Sequence, residues 1–269
     1  MWQRHWNLAR DPFDPRQSGY VATPTHGEAV ARLVRTIETA ARSAALVAPA
    51  GLGKSTVLAR AIEATRGPGR RFVRSTAPDD GVGLLATLAV GLGGRLAAEA
   101  GRPSAWKALR DAVRLCRFQK IHVVLAVDSC ETLESEADRS VLDRLEYVDP
   151  DPAVPLTILR VGRSTAGFET VPPPADWGLS IRLDPLTRGE AADYLAAKLR
   201  AAGRDEPTFT PRALTRLHAL AGGVPRGLDR LAGLCLMASA VRGLDVIPAE
   251  IVEGAALECL GASSASAEG

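Results

Sequence analysis

The segment Ala48-Pro49-Ala50-Gly51-Leu52-Gly53-Lys54-Ser55 constrains this chain more than any other. It follows a short apolar run, Ser43 to Val47, that reads as a buried strand, and it precedes Ser55 to Thr65, whose apolar residues recur at helical spacing. A strand, a glycine-rich turn and a helix in that order make a phosphate cradle. Gly51 and Gly53 let the backbone bend around an anion, and the N–H groups there and the positive end of the helix face it. In such a loop Lys54 bridges the β- and γ-phosphates of a nucleotide and Ser55 ligates Mg²⁺. Lysine is scarce here, limited to Lys54, Lys107, Lys120 and Lys198, and one falls where this chemistry needs it. The pattern ordinarily opens with Gly, where this chain has Ala48. Ala48, Pro49, Ala50, Gly51, Leu52, Gly53, Lys54, Ser55 and Thr56 are therefore the expected nucleotide-binding residues.

The surrounding pattern predicts an α/β fold with a parallel sheet. Strands are expected at Ser43 to Val47, Arg71 to Arg74, Ile121 to Val127, Leu156 to Val161 and Leu179 to Leu183. Helices are expected at Thr25 to Ala41, Ser55 to Thr65, Gly83 to Ala100 and Ala105 to Phe118, with Thr25 and Glu28 as a capping box. Strands alternating with helices make a doubly wound sheet joined by right-handed crossovers. After residue 184 the strand signals stop. Thr187 and Glu190 open a helix to about Ala202, and Thr210-Pro211 opens another, closed by Gly222-Gly223. Gly227 to Val241 and Ala249 to Leu260 complete a small all-α domain. The expected organisation is a linker over 1–24, an α/β domain over 25–185, a helical lid over 186–260 and a disordered tail over 261–269.

A nucleotide site of this kind also needs a carboxylate at an adjacent strand end to hold the water shell of Mg²⁺. Asp128, ending the Ile121 to Val127 strand, fits that role, so Ser55 and Asp128 are the expected metal ligands. The next residue is usually Glu, which polarises the attacking water. Here it is Ser129, and the first acid available is Glu131. A misplacement of that size is expensive in rate, so nucleotide binding is a firmer expectation than fast hydrolysis.

Composition excludes several classes. The chain of 269 residues is 46% hydrophobic and 24% charged, enough for one or two packed units. A net charge of +2 with interspersed signs does not indicate general DNA binding. No apolar window has the length of a membrane span, and the N-terminus lacks a secretory h-region, so a cytoplasmic protein is expected. Cys116, Cys130, Cys235 and Cys259 lack zinc or disulfide spacing and read as small buried hydrophobes. Trp2, Trp6 and Phe13 could pack beside the base of a bound nucleotide or bury against the α/β domain, with core packing the favoured expectation, and Asp79-Asp80 is expected to lie solvated in a turn.

With these pieces in place the chain resembles the AAA+ ATPases of the general secretion pathway protein A (ExeA) group, over residues 1 to about 258. His5-Trp6-Asn7-Leu8 with Asp11-Pro12-Phe13 resembles that group's aromatic start, and Thr25-His26-Gly27-Glu28-Ala29 its "H-x-E-A" helix. Asp128-Ser129-Cys130-Glu131-Thr132-Leu133 resembles its "D-E-A-Q-x-L", and Leu159-Arg160-Val161-Gly162 its "L-x-G-Q" strand. Leu183-Asp184-Pro185-Leu186 with Tyr194, and Phe209-Thr210-Pro211 with Ala213, resemble the start of its lid. Gly223-Val224-Pro225-Arg226 resembles its "G-x-P-R" sensor 2 motif. The resemblance implies a P-loop AAA+ sheet followed by a helical lid, with ATP and Mg²⁺ as ligands and Arg226 reaching the γ-phosphate from the lid. By itself Arg226 reads as a solvated residue opening a helix.

The departures are Ser129 for Glu, Arg163 for the Gln after the sensor 1 strand, and Asp176-Trp177-Gly178 where the family usually has an arginine. An arginine finger is thus not assigned, with Arg139, Arg144, Arg163 and Arg182 as weak alternatives. Lys54, Asp128, Glu131 and Arg226 are the expected catalytic residues of an oligomerising ATPase with a protein partner. Two other readings stand beside it: an ATP-dependent switch that hydrolyses little, and a DNA-bound transposition regulator of the TnsC and MuB type, which the same core resembles. The family's secretion members carry a membrane anchor beyond this region, so a secretion role is not expected to carry over.

Overall fold

A computed structural model describes residues 2–14, 17, 19–76, 78–97, 99–149, 156–164 and 178–265, with side chains given as far as residue 258. The chain forms two compact units. One comprises Glu28–Ala50 and Lys54–Leu183; the other comprises Met1–Gly27, Gly51–Gly53 and Asp184–Gly269.

The first unit is built on five parallel strands: β1 (Ser43–Ala48), β2 (Arg70–Thr76), β3 (His122–Asp128), β4 (Leu156–Arg163) and β5 (Leu179–Arg182), in the order β2-β3-β4-β1-β5. The near-continuous apolar runs of β3 and β4 fit their central places, where every residue of β3 is buried. The edge strand β2 alternates between buried and open positions. Helices α2 (Pro24–Glu38), α3 (Lys54–Thr65), α4 (Gly81–Gly91), α5 (Arg102–Phe118) and α6 (Glu136–Arg144) connect or flank the strands, α2 entering from the second unit. A core of Leu84, Leu85, Leu88, Leu109, Val113, Val123 and Leu125 packs α4 and α5 onto β3.

Several sequence expectations are corrected. The α4 helix stops at Gly91, not near Ala100, because Gly91, Gly93 and Gly94 put three poor helix formers within four residues and Gly93 turns left-handed. Asp79 and Asp80 are exposed as expected, and Asp80 has a further role that was not foreseen: it caps α4 by accepting from the Gly83 N–H at 2.6 Å. Helix α6 was not anticipated, although Ser135 caps it by accepting from the Asp138 N–H at 3.0 Å.

The second unit holds α1 (Trp2–His5), α7 (Arg188–Ala201), α8 (Pro211–Ala221), α9 (Pro225–Val241) and α10 (Ala249–Ala265). Residues 1–24 belong to it and are no mere linker. Trp6 is fully buried and its Nε1–H donates to the Leu236 carbonyl at 2.9 Å, while the Ala9 N–H donates to the Ala202 carbonyl at 2.8 Å. Trp6 and Phe13 therefore complete the core of the helices rather than the α/β core. The α10 helix runs on to Ala265, past the expected end near Leu260; residues 266–269 lie outside the described residues. Thr187 and Glu190 do form a capping box on α7, and Thr210 caps α8. Thr25 and Glu28 do not: α2 starts at Pro24, and the Thr23 hydroxyl oxygen accepts from the His26 N–H at 3.2 Å. Among the described residues no helix is long and apolar enough to cross a membrane.

Candidate nucleotide-binding site

The glycine loop leaves β1 at Ala48, which is fully buried, and ends where Lys54 opens α3. Gly51 and Gly53 have φ of +83° and +86°, a region that side chains with a Cβ avoid. Lys54 folds back along the loop, its Nζ donating to the carbonyls of Ala48 at 2.8 Å and Pro49 at 3.0 Å. Ser55 and Thr56 are exposed in the first turn of α3, where backbone N–H groups lack helical partners.

β1 and β3 are not neighbours. The sequence reading put the metal carboxylate on an adjacent strand, but β4 lies between them. The connection after β1 leads toward β2, and the one after β4 leads to β5 on the other side of β1. The sheet's switch point is thus at the carboxyl ends of β1 and β4, where open α/β sheets bind ligands. The ends of β1 and β3 stand two strand spacings apart, about 10 Å.

Asp128 is buried at the end of β3. Its Oδ1 accepts from the Ser129 N–H at 2.9 Å, and its Oδ2 is paired with the guanidinium of Arg74 on β2. Ser129 takes a left-handed conformation (φ 60°, ψ 47°) that turns the chain into a 3-10 turn at Cys130–Thr132. Burial pushes the Cys130 thiol up to about 12, so it is no nucleophile at neutral pH. Glu131, the displaced acid, is held by Arg163 at the end of β4: Arg163 Nε lies 3.1 Å from Oε1, and the Arg163 N–H donates to Oε2 at 3.1 Å.

In the second unit, the loop tip Gly51–Gly53 meets α2 and α9. His26 Nδ1 lies 2.7 Å from the Thr23 hydroxyl and Nε2 2.8 Å from the Leu52 carbonyl. A carbonyl only accepts, so Nε2 carries the proton and Nδ1 accepts from Thr23. A Cβ on Gly53 would sit 3.0 Å from that Nε2. The Arg226 N–H donates to the Gly51 carbonyl at 3.3 Å, in the first turn of α9. The turn before it is pinned by Leu186, whose N–H donates to the Gly223 carbonyl at 2.9 Å and whose carbonyl lies 2.8 Å from His218 Nε2.

Lys54, Ser55 and Asp128 thus lie at the carboxyl ends of the sheet, Glu131 is tied to Arg163, and Arg226 adjoins the loop tip. Sequence reasoning missed Arg74 and the positioning role of His26. Of the finger alternatives, Arg163 is engaged by Glu131 and Arg139 donates to the Glu134 carbonyl; Asp176 and Trp177 lie outside the described residues. The site fits a nucleoside triphosphate: two left-handed glycines leave backbone room, and a lysine and a helix N-terminus supply donors. It also fits a hydrated Mg²⁺, which takes one or two protein oxygens plus phosphates rather than an all-protein cage. Among the described residues there is no cluster of three or more His, Cys, Asp or Glu that could hold a metal ion.

No family model matches the chain. A stretch of 59 residues is 39% identical to general secretion pathway protein A of Aeromonas hydrophila, which bears out the resemblance read from the motifs. That stretch is 22% of this chain and only 11% of the relative. Among solved structures, Orc1 of Aeropyrum pernix in complex with DNA superposes with a TM-score of 0.73 at 15% identity, over 92% of this chain and 68% of that one. Cdc6p of Pyrobaculum aerophilum gives 0.72 at 17% identity, over 89% and 68%. The RuvB Holliday junction branch migration motor of Thermotoga maritima gives 0.57 at 17% identity, over 87% and 68%. The fold is that of the P-loop AAA+ proteins.

Proposed function

We propose that this chain binds ATP with Mg²⁺ and hydrolyses it slowly, as a cytoplasmic homo-oligomer that engages a protein partner. The observation that carries this reading is the loop itself. A buried strand ends in two left-handed glycines, and Lys54 opens the next helix beside the switch point of a parallel sheet. Of the loop residues Ala48 to Thr56, all but Pro49 have a backbone N–H, and those from Gly51 onward would face the phosphates. Lys54, now on the Ala48 and Pro49 carbonyls, would supply its ammonium to the phosphates of a bound nucleotide. Ser55 and Asp128 hold the Mg²⁺, which screens the phosphate charge. Arg226, beside Gly51, would sense the γ-phosphate.

Slow turnover follows from Glu131. An attacking water needs a free carboxylate acceptor, and both oxygens of Glu131 already accept from Arg163. The same pairing favours a second reading, in which ATP occupancy alone switches partner binding and little is hydrolysed. The Orc1 neighbour was solved with DNA, so duplex binding by this chain is tested alongside.

The test is phosphate release with Mg²⁺-ATP over a range of protein concentrations, beside Lys54→Ala, with fluorescent-ATP binding measured in parallel. Turnover per subunit that rises with concentration and vanishes in Lys54→Ala supports the oligomeric ATPase. Lys54-dependent binding without turnover supports the switch. ATP-dependent, salt-sensitive retention on duplex DNA would favour the DNA-bound reading. Binding that survives in Lys54→Ala would sink the site assignment.

A further inference from the structure

We propose that Arg74 is a positioning residue that occupies the metal carboxylate, so that its guanidinium and Mg²⁺ compete for Asp128. The proposal rests on the reading of Asp128 as a metal ligand. In the parallel pairing of β2 with β3, Thr76 is level with Asp128 and Arg74 with Ala126. Alternate residues share a face, so Arg74 is the diagonal neighbour of Asp128, a separation that a long side chain spans. Its Nη2 pairs with Oδ2, while the Ser129 N–H takes Oδ1.

The partners differ in their freedom. The Asp128 side chain is 2% exposed and that of Arg74 34% exposed. A carboxylate shut away from water must keep a cation beside it. A half-open arginine can swing its head into solvent when another cation arrives, because its charge is satisfied there by water. Exchange of guanidinium for hydrated Mg²⁺ is therefore one cation for another at a fixed anion, with Arg74 the group that moves. The net effect is a site in which Mg²⁺ strengthens nucleotide binding less than the ligand set alone would allow, because every metal ion bound must release an arginine.

The quantity to measure is the ratio of the dissociation constants of a fluorescent ATP analogue in excess EDTA and in excess Mg²⁺. Arg74→Ala is expected to enlarge that ratio about tenfold, the factor for one charge-assisted hydrogen bond no longer broken on metal binding. Arg74→Gln, which keeps the length and drops the charge, is expected to do the same and carries the test if the alanine variant does not fold. Arg74→Lys is expected to fall between, since an ammonium remains as a point charge without the fork. Asp128→Asn should reduce the ratio to the same value whether or not Arg74 is present, because an amide attracts neither cation. An unchanged ratio in Arg74→Ala or Arg74→Gln, with analogue binding retained, overturns the proposal and leaves the nucleotide site standing. Absence of any Lys54-dependent binding by the wild-type chain overturns the site and this proposal together.

Discussion

Arg163 engages both oxygens of Glu131, its Nε 3.1 Å from Oε1 and its backbone N–H donating to Oε2 at 3.1 Å. A carboxylate with two donors already in place is a poor proton acceptor for a water. Glu131→Gln is therefore expected to lower phosphate release by less than about threefold, whereas loss of a true general base costs about 10²–10⁴-fold. Ser129→Glu, which restores an acid directly after Asp128, is expected to raise turnover under the same conditions. A drop of a hundredfold in Glu131→Gln would make Glu131 the base despite its pairing.

The loop glycines differ sharply from the helical ones. Gly53 has φ +86°, and a Cβ there would lie 3.0 Å from His26 Nε2, which is itself anchored to the Leu52 carbonyl. Gly53→Ala is expected to cost about 1–2 kcal/mol from the left-handed backbone alone, and to weaken ATP binding by pushing the loop off its course. Gly189 in α7 has nothing within 4 Å of the same built position. Gly189→Ala is expected to stabilise by up to about 1 kcal/mol and leave binding unchanged. Thermal melts with a nucleotide titration separate the two.

How much of this was legible follows from what each signal encodes. The glycine loop and the apolar runs of β1, β3 and β4 carry their meaning locally, so strand, turn and helix were readable there. Apolar runs report burial but not neighbours, which is why β4 between β1 and β3 was unforeseen. Arg74 was invisible for the same reason: only the β2–β3 register makes it diagonal to Asp128. Trp6 and Phe13 read as buried, but a sequence does not say against what, and they fill the helical core. The start of α2 was readable and misread. Thr23-Pro24 is the same cap-and-proline signal recognised at Thr210-Pro211, and it outranks Thr25 as the cap.

Glu190 replaces the Glu28 once expected to serve Thr25. Its carboxylate accepts from the N–H and hydroxyl of Thr187 at 3.0 and 2.9 Å, and from the N–H and hydroxyl of Thr25 at 3.1 and 2.7 Å. Burial raises its pKa, but the hydrogen bonds from Thr187 and Thr25 outweigh it and bring the group to about 2. A folded value below the ordinary 4.5 means stabilisation that is full above pH 4.5 and lost as pH falls toward 2. Glu190→Gln is expected to cost about 1–2 kcal/mol at neutral pH, for weakened caps on two helices. Denaturant unfolding should also show a shallower acid dependence between pH 4.5 and 2; an unchanged slope would mean that Glu190 is not the responsible group.

His122 opens β3 as a buried imidazole, and its proton inventory is fixed by its neighbour. The Thr157 hydroxyl donates to the Ala41 carbonyl at 2.7 Å, so it accepts from His122 Nε2 at 2.9 Å, and the ring is neutral with Nε2 protonated. Burial, and then the charge of Arg70 across the β2–β3 pairing, lower its pKa from the ordinary 6.5 to about 4. Between those values the unfolded chain binds a proton that the folded chain refuses, so stability falls as the solution is acidified. The loss reaches on the order of 2–3 kcal/mol by pH 4. His122→Gln keeps a donor for Thr157 and has no proton to gain. It is expected to be near wild type in stability at pH 4 to 5 yet less stable at pH 7.5, with a flatter profile between. Parallel slopes for the two proteins from pH 7 to 4 would place the acid sensitivity elsewhere in the chain.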